Sequence, residues 1–355
     1  MKSKNLVILY PIILFILLFL IDKIFLFPEI RKLFISWKRF EVAVYETRLD
    51  LIKMIKEDSE LKNGKKLFLV LGSSRSAGLN SKLLEEKLNN NARVYNFSVP
   101  FPEILYYDFI IYQLEKEKIQ IEGIFLELDS ILLTKESKIY TRNFSLSIDY
   151  IWDHYLYLFN TNSNTNIILK YIIKKLFITS SYPISFLGLI ENLKTIQWWE
   201  KHRWIELRKY QIWDYTYSEL KKLNESQRGG FKVFASNEKI TDIRTNAMER
   251  ILNISNHQVL ILEKTKLLDS DYKILIYSPP LSSEFLEVAK NENKPELIQS
   301  LTTILAKNQY SIKSNVKVLD LRENNLGCRE FEDSIHLAKN CMDDFTSRVG
   351  NDFPR

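Results

Sequence analysis

Five short apolar runs punctuate the chain, at residues 66–71 (KLFLVL), 92–99 (ARVYNFSV), 121–128 (IEGIFLEL), 272–277 (YKILIY) and 316–321 (VKVLDL). They are rich in β-branched, leucine and aromatic residues, and their near-continuous apolar character suits strands buried on both faces. Between them the period becomes helical, over residues 81–88, 102–118, 241–267 and 283–307. Strands alternating with helices predict right-handed βαβ units around a parallel sheet, an α/β fold with five strands. The alternation breaks once. Residues 131–240 form a long insertion, expected to be mostly helical and dense in Tyr, Trp and Phe.

The amino terminus has a different pattern. Residues 6–21 (LVILYPIILFILLFLI) are apolar apart from Tyr10 and Pro11, Asp22-Lys23 interrupts the run, and residues 24–27 resume it. Together they approach the roughly 20 residues that cross a bilayer. Lys2 and Lys4 precede the run and no A-x-A-like cleavage site follows, so residues 1–28 are read as an uncleaved signal anchor. The alternative is a buried helix in a soluble core. Residues 29–65 read as a helical stalk, with apolar positions at Leu33, Trp37, Phe40, Val44, Leu51 and Ile55. Residues 66–355 form the body that carries the insertion. Arg31, Lys32, Lys38 and Arg39 after the anchor favour a cytoplasmic body, but large domains translocate largely regardless of such charges. The motifs below suit the outside, and a single-pass protein of the cytoplasmic membrane with its body outside the cytoplasm is expected.

Within the insertion, residues 166–178 (NIILKYIIKKLFI) are amphipathic and basic, with Trp198, Trp199 and Trp204 downstream. This reads either as a helical cap on the sheet or as a surface resting on the membrane, where Lys and Trp suit the headgroup boundary. The formal charge of +6 over 355 residues is spread among both signs. No basic stripe marks a nucleic-acid partner. Cys328 and Cys341 are the only cysteines. They either pair, which is worth about 3 kcal/mol on the chain-entropy model, or stay as structural thiols. CxxC and paired histidines are absent, so neither a metal nor a cofactor is expected.

Chemistry concentrates in two segments. The first strand runs into a serine-rich turn, residues 67–78 (LFLVLGSSRSAG), and a helical pattern follows. That arrangement sets a hydroxyl at the carboxyl edge of a parallel sheet, where open α/β sheets place their sites. Such a turn also suits a helix cap or a phosphate cradle, although the G-K-[ST] of a phosphate loop and the G-x-S-x-G of a nucleophile elbow are both missing. The second segment follows the last strand and contains Asp333-x-x-His336. A short turn can bring Asp333 to Nδ1 of His336 and leave Nε2 as a base. His154, His202 and His257 have no comparable partner in the sequence.

These two segments resemble the blocks of the SGNH (GDSL-type) hydrolase superfamily. Gly72-Ser-Ser-Arg-Ser-Ala-Gly78 is similar to its first block, G-D-S-L-S-x-G, with Ser73 in place of the aspartate. Asp333-Ser-Ile-His336 is similar to its last block, D-x-x-H. The resemblance covers residues 65 to 346 or so outside the insertion. It implies a flavodoxin-like three-layer sandwich and a triad of Ser74, His336 and Asp333 performing esterase or acyl-transferase chemistry. The oxyanion-binding second block corresponds to Asn96 and Ser98, with Ser98 at the place of a glycine. The third block, G-x-N-D, corresponds to Leu126-Glu-Leu-Asp129 and lacks both the glycine and the asparagine.

Those departures, with the anchor and the insertion, resemble the membrane-anchored branch that includes alginate acetylation and teichoic acid D-alanylation proteins. The branch implies an envelope glycan or glycolipid as substrate and a membrane-bound O-acyltransferase as partner. The alternative is a non-catalytic scaffold that binds a glycan or such a partner.

Overall fold

In the computed structural model the apolar runs pair as one parallel sheet: β1 (Lys66–Leu71), β2 (Ala92–Asn96), β3 (Gly123–Glu127), β4 (Lys273–Ser278) and β5 (Val316–Asp320), in the order β2-β1-β3-β4-β5. The helices are α1 (Ser3–Ile24), α2 (Phe40–Glu57), α3 (Ser59–Lys62), α4 (Ser81–Lys87), α5 (Ile104–Lys116), α6 (Ile148–Asp153), α7 (Ile178–Ser181), α8 (Ser283–Asn291) and α9 (Met342–Asn351). The structure describes residues 3–27, 40–99, 104–129, 147–154, 176–181, 226–230, 271–291, 313–323 and 335–354, together with 30, 33, 34, 102, 184, 186, 187, 189, 190, 267, 268, 302, 326–328, 330 and 331. Most of the helical stretches expected at 241–267 and 283–307 (of which 267, 283–291 and 302 are described), and most of the insertion with its tryptophans at 198, 199 and 204, lie outside that set. So do Asp333, His202 and His257.

The strand order explains why the runs lack polar alternation. One face of the sheet presents Phe68, Val70, Val94, Phe125, Leu275, Tyr277 and Leu319 to Leu84 of α4 and to Phe345 and Val349 of α9. The intervening positions, among them Leu69, Tyr95, Ile124, Leu126 and Ile276, are buried as well. Each such side chain contributes about 1.5–3 kcal/mol. The order 2-1-3-4-5 places the topological switch between β1 and β3, the position where doubly wound sheets open a crevice at their carboxyl ends.

The chain divides into two compact units, Met1–Val42 with Arg142–Glu206, and Ala43–Thr141 with Leu207–Arg355. This differs from the expected division in two respects. Residues 142–206 of the insertion group with the amino-terminal segment, and only the remainder groups with the sheet. Nor is α2 a stalk: Leu51, Ile52 and Ile55 form a buried stripe, and Lys56 pairs with Glu117 beyond α5 at 2.7 Å. An amphipathic stripe shows that a helix packs, but not on what. In the first unit, α1 runs 22 residues, and its apolar side chains from Leu9 to Ile24 are exposed apart from the half-buried Phe19. Among the described residues no helix is long and apolar enough to cross a membrane, the side chains of α1 being described only from Leu9.

One polar cluster ties α2 and α3 to the edge strand. Asp58 is the N-cap of α3, accepting from Glu60 N at 2.8 Å, and also accepts from Arg93 Nε (2.7 Å) and Tyr95 Oη (2.6 Å) on β2. Burial alone would raise this carboxyl. The bonds from Tyr95, Arg93 and the Glu60 amide outweigh it and hold the group below its ordinary range. A depressed carboxylate contributes stability above its unfolded value and loses it as the pH falls toward its folded one. Asp58→Asn is therefore expected to cost about 1–3 kcal/mol at pH 7. The gap from the parent should narrow below about pH 4 in urea titrations. A gap that stays constant from neutral to strongly acid pH would contradict this assignment.

Candidate active site

The turn after β1 is built around a buried carboxylate. Glu127, the last residue of β3, has no exposure, and its Oε2 accepts from Ser73 N at 2.7 Å and from the Ser76 hydroxyl. Its Oε1 accepts from Ser73 Oγ at 2.6 Å and from Arg75 Nη2 at 2.7 Å. Arg75 also pairs with Asp129 at 2.7 Å, so one guanidinium serves two carboxylates. Burial alone would lower the Arg75 guanidinium, but Asp129 and Glu127 together hold it above its ordinary value. Tyr277, paired with Glu127 across β3 and β4, donates from Oη to Ser76 Oγ at 2.7 Å. Its burial and the nearby Glu127 push its hydroxyl well above the usual tyrosine range. Gly72 makes this closeness feasible, because a Cβ there would lie 2.5 Å from Ser76 Cβ and 2.9 Å from Glu127 Oε2.

The cluster sorts the three serines. Ser73 and Ser76 are buried on Glu127, whereas Ser74 is half-buried and faces the cleft. Its Oγ lies 2.8 Å from His336 Nε2. Asn80 then ends the turn and caps α4, its side chain accepting from Lys82 N and Leu83 N at 3.2 and 3.3 Å.

His336 is held from the other side of the sheet edge. Its loop is closed by a disulfide between Cys328 and Cys341, by a bridge between Phe331 and Leu337, and by Ala338 N donating to Glu330 O at 2.9 Å. Of the two readings left open for the cysteines, the structure takes the bridge. Immediately after the loop, Thr346 Oγ1 of α9 accepts from Asn80 N at 3.2 Å, tying the histidine segment to the end of the serine turn. Asp333, expected to orient the imidazole, lies outside the described residues.

The cleft around the Ser74–His336 pair has a volume of about 500 Å³. Lys82, Lys339 and Met342 line it, and a loop at residues 226–230 contributes Gln227 and Gly230. That loop rides on the edge strand. Asn96 N donates to Arg228 O at 2.8 Å, and Arg228 Nη2 pairs with Glu85 at 2.6 Å. Gly229 adopts φ +91°, and a Cβ there would lie 2.1 Å from Asn96 O, so no other residue fits.

The expected oxyanion residues are engaged elsewhere. Asn96 Nδ2 donates to Ser76 O and Ala77 O at 3.0 and 3.3 Å, while its Oδ1 accepts from Ser98 N at 2.9 Å. The Ser98 carbonyl in turn accepts from Arg48 Nε and Nη2 at 3.1 and 2.8 Å. Asn96 and Ser98 therefore brace the turn, and neither amide is directed to a substrate oxygen in this arrangement. At the third block, Leu128 is buried and donates its N–H to Tyr277 O at 3.0 Å. His154 stacks on Tyr150 with ring centroids 4.2 Å apart in the first unit. The roles of Glu127, Arg75 and the 226–230 loop were missed by sequence reasoning. The one available signal was a carboxylate pair, Glu127 and Asp129, ending an otherwise apolar strand, which calls for a buried cation.

The family described as a protein of unknown function, DUF1574, matches residues 1–350, and the chain belongs to that family. The match spans α1, the sheet and the segment between them. No curated protein matches the chain.

The division of labour among the serines is testable by denaturant unfolding. Ser73→Ala should cost about 1–3 kcal/mol and Glu127→Ala about 3–5 kcal/mol, because each leaves buried polar groups unpaired. Ser74→Ala should stay within about 0.5 kcal/mol of the parent. Comparable losses at Ser73 and Ser74 would mean that Glu127 does not order the turn.

Proposed function

We propose that this DUF1574 chain is a serine-dependent acyl transferase or esterase of SGNH type, acting on esters of a cell-envelope glycan or glycolipid. The observation that carries the reading is the 2.8 Å contact between Ser74 Oγ and His336 Nε2 in a cleft at the carboxyl edge of the sheet. Hydrogen-bond reach between nucleophile and base is the geometry that general-base catalysis needs. In the proposed step His336 takes the Ser74 proton as Oγ bonds to the acyl carbonyl carbon. The tetrahedral oxyanion collapses, the C–O bond to the leaving alcohol breaks, and His336 returns the proton to that alcohol. Water or a sugar hydroxyl then resolves the acyl-serine by the reverse sequence. Asp333 is assigned the imidazole Nδ1, and the Ser74 N–H, which takes no part in the turn's hydrogen bonds, is assigned the oxyanion.

The placement outside the cytoplasm is part of the proposal. The Cys328–Cys341 bridge suits an oxidising compartment, and α1, about 33 Å long at 22 residues and 1.5 Å per residue, is assigned the part of the anchor. A membrane-bound O-acyltransferase is the proposed partner that would supply or receive the acyl group.

A second reading, a non-catalytic scaffold, is favoured by the commitment of Asn96 and Ser98 to the turn. The two separate on one experiment. Treatment with a fluorophosphonate probe should label the folded protein once, at Ser74. Ser74→Ala should abolish labelling, and His336→Ala should slow it by about 10³-fold or more. Absence of Ser74-dependent labelling in protein with its disulfide and circular dichroism intact would overturn the enzymatic reading in favour of the scaffold.

A further inference from the structure

Asp22 stands out in the first unit. It is 3 % exposed although the apolar side chains of the helix around it are open. Its carboxylate accepts from Ile178 N and Thr179 N, both at 2.8 Å, and from Thr179 Oγ1 at 2.7 Å. Beside it, Lys23 pairs with Asp22 at 3.1 Å, donates to Leu176 O, and lies 4.4 Å from the Phe19 ring centroid. The last turn of α1 and the start of α7 are thus clasped by charged groups. A carboxylate with this many donors fixes one register between two segments far apart in sequence.

The clasp sets the level of the neighbouring aromatic residue. Phe177, one residue before α7, packs edge-on against Phe19 and Phe15, with centroids 5.9 and 6.2 Å apart. At 1.5 Å per residue, Phe19 and Phe15 lie about 5 and about 10 Å from Asp22 along the helix axis. That is the depth to which an interfacial segment buries its apolar face, about 5–10 Å below the headgroups. Past α7 the apolar surface continues outward. Phe186 is 75 % exposed and Leu187 72 % exposed, with Phe186 edge-on to Phe34 at 6.1 Å, and Phe34 on Phe25 at 5.1 Å. Directly before Phe177 the sequence carries Lys170, Lys174 and Lys175 in an apolar run, the composition that attracts anionic lipid.

We infer that residues 176–181 with Phe186 and Leu187 form a lipid-seated shelf: Phe177 enters the bilayer beside the outer end of α1, Phe186 and Leu187 rest at the headgroup boundary, and the Asp22 clasp sets the depth. The occupant of this apolar surface is a bilayer containing anionic lipid. The inference rests on α1 being the anchor, because Phe177 is continuous with its apolar surface. The shelf would hold the first unit at a fixed height on the membrane, which a single helix alone does not do.

The test uses the full chain, with its disulfide intact, in nanodiscs of phosphatidylcholine and phosphatidylglycerol. Nitroxide labels at Leu187→Cys and, separately, Leu14→Cys are compared for collision with oxygen, which partitions into lipid, and with a water-soluble nickel chelate. Both labels should be oxygen-dominated, and adding Asp22→Ala should lower the oxygen-to-nickel ratio at position 187 severalfold while leaving position 14 unchanged. A nickel-dominated label at 187 beside an oxygen-dominated label at 14 overturns the shelf and leaves the anchor standing. A label at 187 shielded from both reagents also overturns it, since a protein or a second copy then covers the surface. Nickel-dominated labels at both positions overturn the anchor and the shelf together.

Discussion

A carboxylate with no access to water must find its hydrogen bonds inside the protein, and Glu127 finds them in the turn that carries Ser74. Four donors converge on its two oxygens: the Ser73 amide, the Ser73 and Ser76 hydroxyls and the Arg75 guanidinium. Losing any one leaves a charged group short of partners in low dielectric, where an unpaired polar atom is most costly. The turn's shape follows from this single demand. Serines at 73 and 76 are drawn inward, Gly72 must lack a side chain, and Ser74 is the hydroxyl left facing the cleft. The charge itself stays buried because Arg75 sits between Glu127 and Asp129.

The histidine arrives by a different kind of constraint. Ser74 and His336 are 262 positions apart, and their strands are not neighbours, since β3 and β4 lie between β1 and β5. A loop after β5 must therefore reach back across the sheet edge. A disulfide closing residues 328–341 removes about 3 kcal/mol of loop entropy from the unfolded chain. The apolar face of α9, with Phe345 and Val349 in the same core as Leu84 of α4, then places the loop's end beside the end of the serine turn. Electrostatics orders one side of the pair, and covalent closure with helix packing orders the other.

How much of this was legible differs with the kind of information. The five strands were legible to within three residues at their ends, because a parallel sheet covered on both faces writes itself as uninterrupted apolar runs. Ser74 and His336 were legible because each follows the carboxyl end of a strand, and all strands of a parallel sheet end on the same edge. The role of Glu127 was not, since a strand-end carboxylate reads as a departure from a block pattern until its donors are seen. Nor was the role of α2, whose stripe at Leu51, Ile52 and Ile55 fits a stalk and a core helix equally. Asn96 was rightly picked out, but for an oxyanion. Which partner an amide chooses, here the Ser76 and Ala77 carbonyls and the Ser98 amide, depends on backbone placement that no spacing encodes.

The weak point of the enzymatic reading is also where its strongest argument lies. With Asn96 and Ser98 engaged and Leu128 apolar, the oxyanion is left to the Ser74 amide, and each missing donor costs on the order of 10² to 10³ in turnover. Slow chemistry is the expected consequence, whereas loss of the nucleophile is not. A scaffold that binds a glycan needs a shaped cleft with polar walls. It has no need for two buried carboxylates and an arginine that draw Ser73 and Ser76 inward and leave Ser74, of the turn's three serines, beside the cleft. It has still less need for a disulfide-closed loop that brings an imidazole nitrogen to 2.8 Å from that hydroxyl. Drift after loss of activity would loosen the costly part of such an arrangement first, because a buried carboxylate cluster is expensive to keep and an apolar replacement is often stabilising. Here Glu127 keeps its four donors, and a cluster kept in this form favours the reading of a serine held for chemistry.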